Sequence, residues 1–201
     1  MRIPTVRLFK KNHKISKEKW NQIFDEIRYT PSSFDLQPWV FFVIEDKKNK
    51  NKLKTIIQGN KDQLETSSSM VLICGNLNKT KSAEYIYKQK LLNKEITKEQ
   101  KNVFLNKIKK YYNTISDTRI QNETFLECGI ISLHFVLTIQ NLGYNACFIG
   151  GCSFDKINDL FDISNDYIPI ILLAVGKKDI INVPEKIKKF KINVEDFVFF
   201  L

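Results

Sequence analysis

The chain's possible folds are most tightly constrained by Tyr29-Thr30-Pro31-Ser32-Ser33-Phe34-Asp35-Leu36-Gln37-Pro38-Trp39, followed at once by the apolar run Val40-Phe41-Phe42-Val43-Ile44. Each proline fixes φ and pushes the preceding residue toward extended geometry, so no helix passes through this stretch. What remains is a stiff segment that displays the hydroxyls of Ser32 and Ser33, the carboxylate of Asp35 and the amide of Gln37. It feeds a run that reads as a buried strand. Polar groups on a rigid loop entering the core can hold a planar polar ligand. The same residue types also make an ordinary turn joining helix to strand.

The remaining segments alternate between helix and strand patterns without a strict βαβ order. Ser16 caps a helix whose buried face is Trp20, Ile23, Phe24 and Ile27, and Asp46 caps a lysine-rich helix with inner face Leu53, Ile56 and Ile57, ending near Gly59. Asn60 and Gln63 precede a second short apolar strand over residues 70–74. Their amides either pair with the donor and acceptor edge of a heterocycle or start a helix. Residues 79–115 are polar and helical, first over 83–92 and then from a capping box at Thr97 and Gln100. The second helix carries Tyr111 and Tyr112 at helical spacing, as core aromatics or as substrate contacts. Residues 125–142, closed by Gly143, are apolar almost all round, which predicts a helix buried on every side, either central or at a subunit interface. His134 within it reads as a satisfied core histidine.

A strand over 144–149 runs into Gly150-Gly151, and a helix over 154–161 follows. Two glycines at a strand end let something approach the backbone, or simply make a turn. The last long strand covers 168–176, and a basic tail containing Lys186, Lys188, Lys189 and Lys191 leads to the apolar end Phe197-Val198-Phe199-Phe200-Leu201.

A chain of 201 residues suits one domain with a real core. No apolar run approaches the roughly 20 residues of a membrane span, and the N-terminal residues lack a signal-peptide pattern, so we expect a cytoplasmic protein with no membrane partner. Four cysteines without a CxxC pair and two histidines give no zinc pattern, and no metal is expected. The formal charge of +10 is spread along the chain and accompanied by no RNA- or DNA-binding motif, so no nucleic-acid partner is expected. The absence of G-x-G-x-x-G argues against a Rossmann dinucleotide site. The pattern fits an α+β fold, one sheet flanked by helices.

Pro31-Ser32-Ser33-Phe34-Asp35-Leu36-Gln37-Pro38-Trp39 resembles the signature loop of the FMN-dependent nitroreductase family, with Asp35 in place of the usual Asn. Later segments agree in order along almost the whole chain. The resemblance implies a nitroreductase-like α+β fold with a mostly antiparallel central sheet, in one domain spanning 1–201 with a variable helical lid over about 79–115. It implies a homodimer whose C-terminal segment crosses onto the partner's sheet. It also implies FMN as cofactor and NADH or NADPH as co-substrate, with a nitroaromatic, quinone or related small-molecule acceptor reduced in a ping-pong cycle.

By the same resemblance, Thr5, Arg7, Ser32, Ser33, Asp35, Gln37, Asn60, Gln63, Ile149, Gly150, Gly151, Lys189 and Lys191 would bind the cofactor, and Tyr111 and Tyr112 would line the substrate side. The flavin would carry the chemistry, so no catalytic side chain is expected. The family's first N-terminal arginine falls on Ile3, Cys152 stands where Phe is usual, and Lys191 replaces an Arg. A specialised relative, such as a dehalogenase or flavin-processing enzyme, and a flavin-binding protein with little turnover are the alternatives.

Overall fold

The structure is a computed structural model and describes residues 5–179 and 190–201. In chain order the elements are α1 (Lys17–Ile27), β1 (Trp39–Ile44), α2 (Lys47–Leu53), α3 (Lys61–Thr66), β2 (Ser69–Asn76), α4 (Lys79–Leu92), α5 (Lys98–Thr114), α6 (Asp117–Asn141), β3 (Asn145–Ile149), α7 (Ile157–Phe161) and β4 (Tyr167–Gly176). Single 3-10 turns lie at Ser33–Asp35, Phe154–Lys156 and Val194–Asp196.

Among the described residues four strands form one antiparallel sheet in the order β1-β2-β4-β3, with Trp39 opposite Gly75, Val71 opposite Leu173 and Ala174 opposite Cys147. Alternation in the two central strands divides the core. Met70, Leu72 and Cys74 of β2 join Leu172 and Ala174 of β4 on one face, under Leu53, Leu64 and Ile157. Val71 and Ile73 join Leu173 and Val175 on the other, against Trp20 and Ile23 of α1 and Ile131 and Phe135 of α6. Pro169 sits inside central strand β4, where it can donate no ladder bond, and the register shifts between its partner Cys74 and Ile73. The antiparallel α+β architecture is the one the sequence predicts.

Helix starts follow their caps. Ser16 Oγ accepts from Lys19 N, Asp46 Oδ1 accepts from Asn49 N, and Thr97 with Gln100 forms a complete capping box. α2 stops at Leu53 rather than near Gly59, and Ile56 and Ile57 are buried from a turn instead, with Ile57 bridged to Cys152. β1 is an edge strand and only half-buried, not the buried strand expected. A run of five apolar residues carries no information about its place in the sheet order.

α6 begins at Asp117, eight residues before its apolar stretch, because Ser116 caps it and its polar first turns face α4 and α5. It is also not buried on every side: Phe125, Leu126, Ile130 and Leu133 are exposed in the single chain. So are Phe197, Phe199 and Phe200 in the terminal segment. No described helix is long and apolar enough to cross a membrane. α4 and α5 form a third cluster of their own, in which Ala83, Tyr87, Ile108 and Tyr112 close over Leu36 and Phe34 of the loop before β1.

Candidate functional site

The expected site residues fall into two groups. The first gathers around the end of β3. Thr5 and Arg7 alternate outward along the N-terminal segment while Val6 and Phe9 point into the core, and Phe9 N donates to Thr66 Oγ1. Asn60 sits at the N-cap position of α3 in the left-handed region, φ 50°, yet its side chain makes no cap bond. That conformation is unusual outside glycine and leaves the amide uncommitted. Gln63, one turn on, is buried and approaches Cys147 Sγ at 3.9 Å. Burial pushes the Cys147 thiol up, partly offset by Gln63 and by the charge of nearby Arg7. Arg7, Gln63 and β3 are thus neighbours.

Ile149 is fully buried and Gly150 exposed, with open space where a Cβ would sit on Gly150. Gly151 differs. A Cβ there would lie 2.6 Å from the Gln58 carbonyl oxygen, whose own amide donates to Gly151 O at 2.7 Å. The close approach that requires a glycine at 151 is therefore made by the chain itself. Lys191 is exposed, while Ile3, Lys186, Lys188 and Lys189 lie outside the described residues.

The second group is the loop before β1. Its backbone carries three non-glycine residues in the left-handed region: Phe34, Asp35 and Gln37, at φ 52°, 55° and 47°. Such a conformation persists only when its surroundings fix it. Ser32 Oγ accepts from Gln37 N at 2.9 Å, and Gln37 Nε2 donates to Asp35 Oδ1 at 3.2 Å. Tyr87 of α4 donates to the Phe34 carbonyl at 3.2 Å. The Asp35 carboxylate meets Lys90 Nζ at 2.6 Å. Burial lowers Lys90, but the hydrogen bond and charge of Asp35 outweigh it, and the net shift is upward. Arg28, Tyr29, Thr30, Pro31, Asp35 and Gln37 line an open depression of about 430 Å³.

Behind this loop lies a polar cluster that local sequence pattern does not reveal. Glu127 of α6 accepts from Ser33 N through Oε1 at 2.7 Å and from Lys79 Nζ through Oε2 at 2.5 Å. Glu123, one turn earlier, lies 4.0 Å from the same ammonium and accepts from the Tyr112 and Tyr111 hydroxyls at 2.6 and 3.1 Å. Lys79, Glu123 and Glu127 are all buried. Burial first, then the Glu123 carboxylate, drives the Tyr112 phenol far above its ordinary value. The two tyrosines expected to face substrate instead give their hydroxyls to this cluster. Two glutamates four residues apart beside an apolar helical run were the available signal. His134 Nδ1 lies 2.7 Å from Thr30 Oγ1, a paired histidine beside the loop.

The strands beside the two groups, β1 and β3, are opposite edges of the sheet, three strand spacings or roughly 14 Å apart. Among the described residues no hydrogen bond or ion pair joins the two groups.

The sequence profile of the nitroreductase family matches residues 4–177. The chain belongs to the nitroreductase family. It is an oxidoreductase of the nitroreductase type. One relative, a protein of Bacillus subtilis strain 168 provisionally named NAD(P)H nitroreductase YodC, is 30% identical over 173 residues, covering 86% of this chain and 84% of its own. Among solved structures, a provisionally named NAD(P)H:FMN oxidoreductase of Staphylococcus epidermidis superposes with a TM-score of 0.91 at 28% identity, covering 99% of this chain and 92% of its own. A provisionally named nitroreductase of Exiguobacterium sibiricum in complex with FMN gives 0.91 at 27%, covering 99% and 93%. The nitroreductase family resemblance drawn from the signature loop is borne out, and so is the antiparallel α+β nitroreductase fold.

Proposed function

We propose that this chain is an FMN-dependent oxidoreductase that works as a cytoplasmic homodimer, drawing reducing equivalents from NADH or NADPH for a nitroaromatic, quinone or related acceptor. The observation that carries the reading is the convergence of Arg7, Asn60, Gln63 and Gly150 on the end of β3, with the Asn60 amide uncommitted and the Gly150 face open. A cation, two amides offering both donors and acceptors, and an unobstructed backbone suit the pyrimidine edge of a flavin. The chemistry that FMN supplies when bound is acceptance of a hydride from the nicotinamide and delivery of electrons to the acceptor, in ping-pong order at one site.

The chain's own residues bind and orient. Arg7 would supply a cation near the negative charge the flavin gains on reduction. Ile149, Gly150 and Gly151 would present backbone to the flavin ring, and Thr5, Lys189 and Lys191 would hold its phosphate. Ser32, Ser33, Asp35 and Gln37, carried at the opposite edge of the sheet from the β3 group of their own chain, would reach the flavin of the partner subunit. The exposed face of α6 at Phe125, Leu126, Ile130 and Leu133, with the apolar terminal segment, supplies the surface for that pairing, and the terminal segment adds to the partner's sheet. Residues 79–115 act as the lid. We assign substrate contact to neither tyrosine hydroxyl, because both are spent on Glu123.

The visible spectrum of the purified protein, with chromatography of the released chromophore, tests the reading. About one FMN per chain is expected, together with NAD(P)H oxidation when a quinone is added. A colourless protein that does not take up added FMN refutes it, and a yellow protein without turnover points to flavin binding alone.

A further inference from the structure

In the loop before β1, Phe34, Asp35 and Gln37 all stand at positive φ, a conformation that persists only when its surroundings fix it. Besides the packing of Phe34 and Leu36 under α4 and α5, three polar contacts from these helices and α6 reach residues 33–35: Glu127 at Ser33 N, Tyr87 at the Phe34 carbonyl and Lys90 at Asp35. Lys79, Ala83, Tyr87 and Lys90 lie within about 80° of one another on α4, so one helix face supplies or backs all three. The contacts are unequal. The Asp35 side chain is 52% exposed, so its pair with Lys90 is screened by water, and the Tyr87 bond is neutral. The Glu127 carboxylate is buried, charge-assisted and bidentate in use, one oxygen on the loop and the other on a buried ammonium.

We infer that Glu127 is a positioning residue, held by Lys79, which clamps the Ser33 amide and thereby sets the geometry in which Ser32, Ser33 and Asp35 are offered to the flavin. The inference rests on the proposed cofactor site. Lys79 is the part that makes the clamp rigid: a carboxylate with one oxygen committed to an ammonium at 2.5 Å cannot swing away from Ser33. Because that ammonium sits on α4 and its second carboxylate neighbour, Glu123, holds the α5 tyrosines, a displacement of the α4–α5 pair is felt at the loop.

Two double variants isolate the clamp. Lys79→Met with Glu127→Gln and Lys79→Met with Glu127→Leu both remove the buried ion pair, and only the first keeps an acceptor for Ser33 N. Three quantities are compared: melting temperature, amide exchange at Ser33 without flavin, and FMN affinity by titration. The Leu variant is expected to exchange Ser33 at least tenfold faster and to bind FMN at least tenfold more weakly than the Gln variant. Equal flavin affinities in the two folded variants overturn the inference. Should the Leu variant not fold, Ser33→Pro deletes the donor with both charges in place, and unchanged FMN affinity there overturns it equally. A wild-type chain that binds no FMN refutes the cofactor reading instead, and Ser33 exchange, which needs no flavin, still decides whether Glu127 clamps the loop.

Discussion

The two halves of the candidate site are built on opposite plans. The loop before β1 is strained in its backbone and tied from behind by the buried Glu127 carboxylate, itself paired with a buried ammonium, by the Lys90 ammonium and by a tyrosine hydroxyl, so most of its polar groups are already paired. The β3 group is held by close main-chain approach, through Gln58 against Gly151 and Ser153 against Ile56, with no ion pair among its described residues, and leaves Arg7, Asn60 and Gly150 facing outward. One half is shaped by charge at a distance and the other by close approach of main chain. They should therefore fail differently when perturbed.

The largest effect is expected at Lys79. Changing it alone to Met strands Glu127 and Glu123 in the interior, a loss of about 3–5 kcal/mol by denaturant unfolding. A loss below 1 kcal/mol would show that charge does not shape the loop half. In the β3 half, Gly151→Ala forces a Cβ to within 2.6 Å of the Gln58 oxygen and should cost about 1–3 kcal/mol, whereas Gly150→Ala meets nothing and should stay within about 0.5 kcal/mol. If Gly150→Ala nonetheless weakens FMN binding, the clash is with the ligand; equal costs at 150 and 151 would erase the distinction between open and occupied backbone.

Much of this fold is legible locally, and the exceptions share a cause. Caps, helix faces and strand runs follow from residues a few positions apart, which is why Ser16, Thr97 and the run from Met70 read correctly. The sheet order that makes β1 an edge is a property of topology and leaves no trace in Val40-Phe41-Phe42-Val43-Ile44. The pairs that shape the loop join residues 55 apart, Asp35 with Lys90, and 48 apart, Lys79 with Glu127. Each member alone looks like a surface charge. Gly151 was legible as a close approach but not as one made by the chain itself, because Gln58 reveals nothing of its carbonyl's direction.

Two smaller effects sharpen the contrast. Asp35→Asn frees Lys90 from its partner, so it should cost no more than about 1 kcal/mol of stability yet raise the flavin midpoint potential. Arg7→Ala should lower that potential, and a redox titration in which neither variant moves would detach both residues from the flavin. Smallest is the reactivity of the thiols. Burial pushes Cys74 and Cys128 up to about 12, while Cys152, also raised by burial but half-buried beside Gly151, is the reachable one. Alkylation at pH 8, followed by peptide mapping, should modify Cys152 first and be slowed by FMN; labelling of Cys74 or Cys128 at the same rate would mean that the core opens more readily than its packing implies.

The left-handed residues of the loop also bear on protein engineering. Phe34, Asp35 and Gln37 would be transplanted with the motif, but Glu127, Lys79, Tyr87 and Lys90, which keep them in that shape, would stay behind. Grafting residues 31–39 onto another scaffold would deliver the letters of the motif without its conformation. The smallest transferable unit is the loop together with α4 and the first turns of α6, a discontinuous piece that only a scaffold reproducing the edge of this sheet could accept.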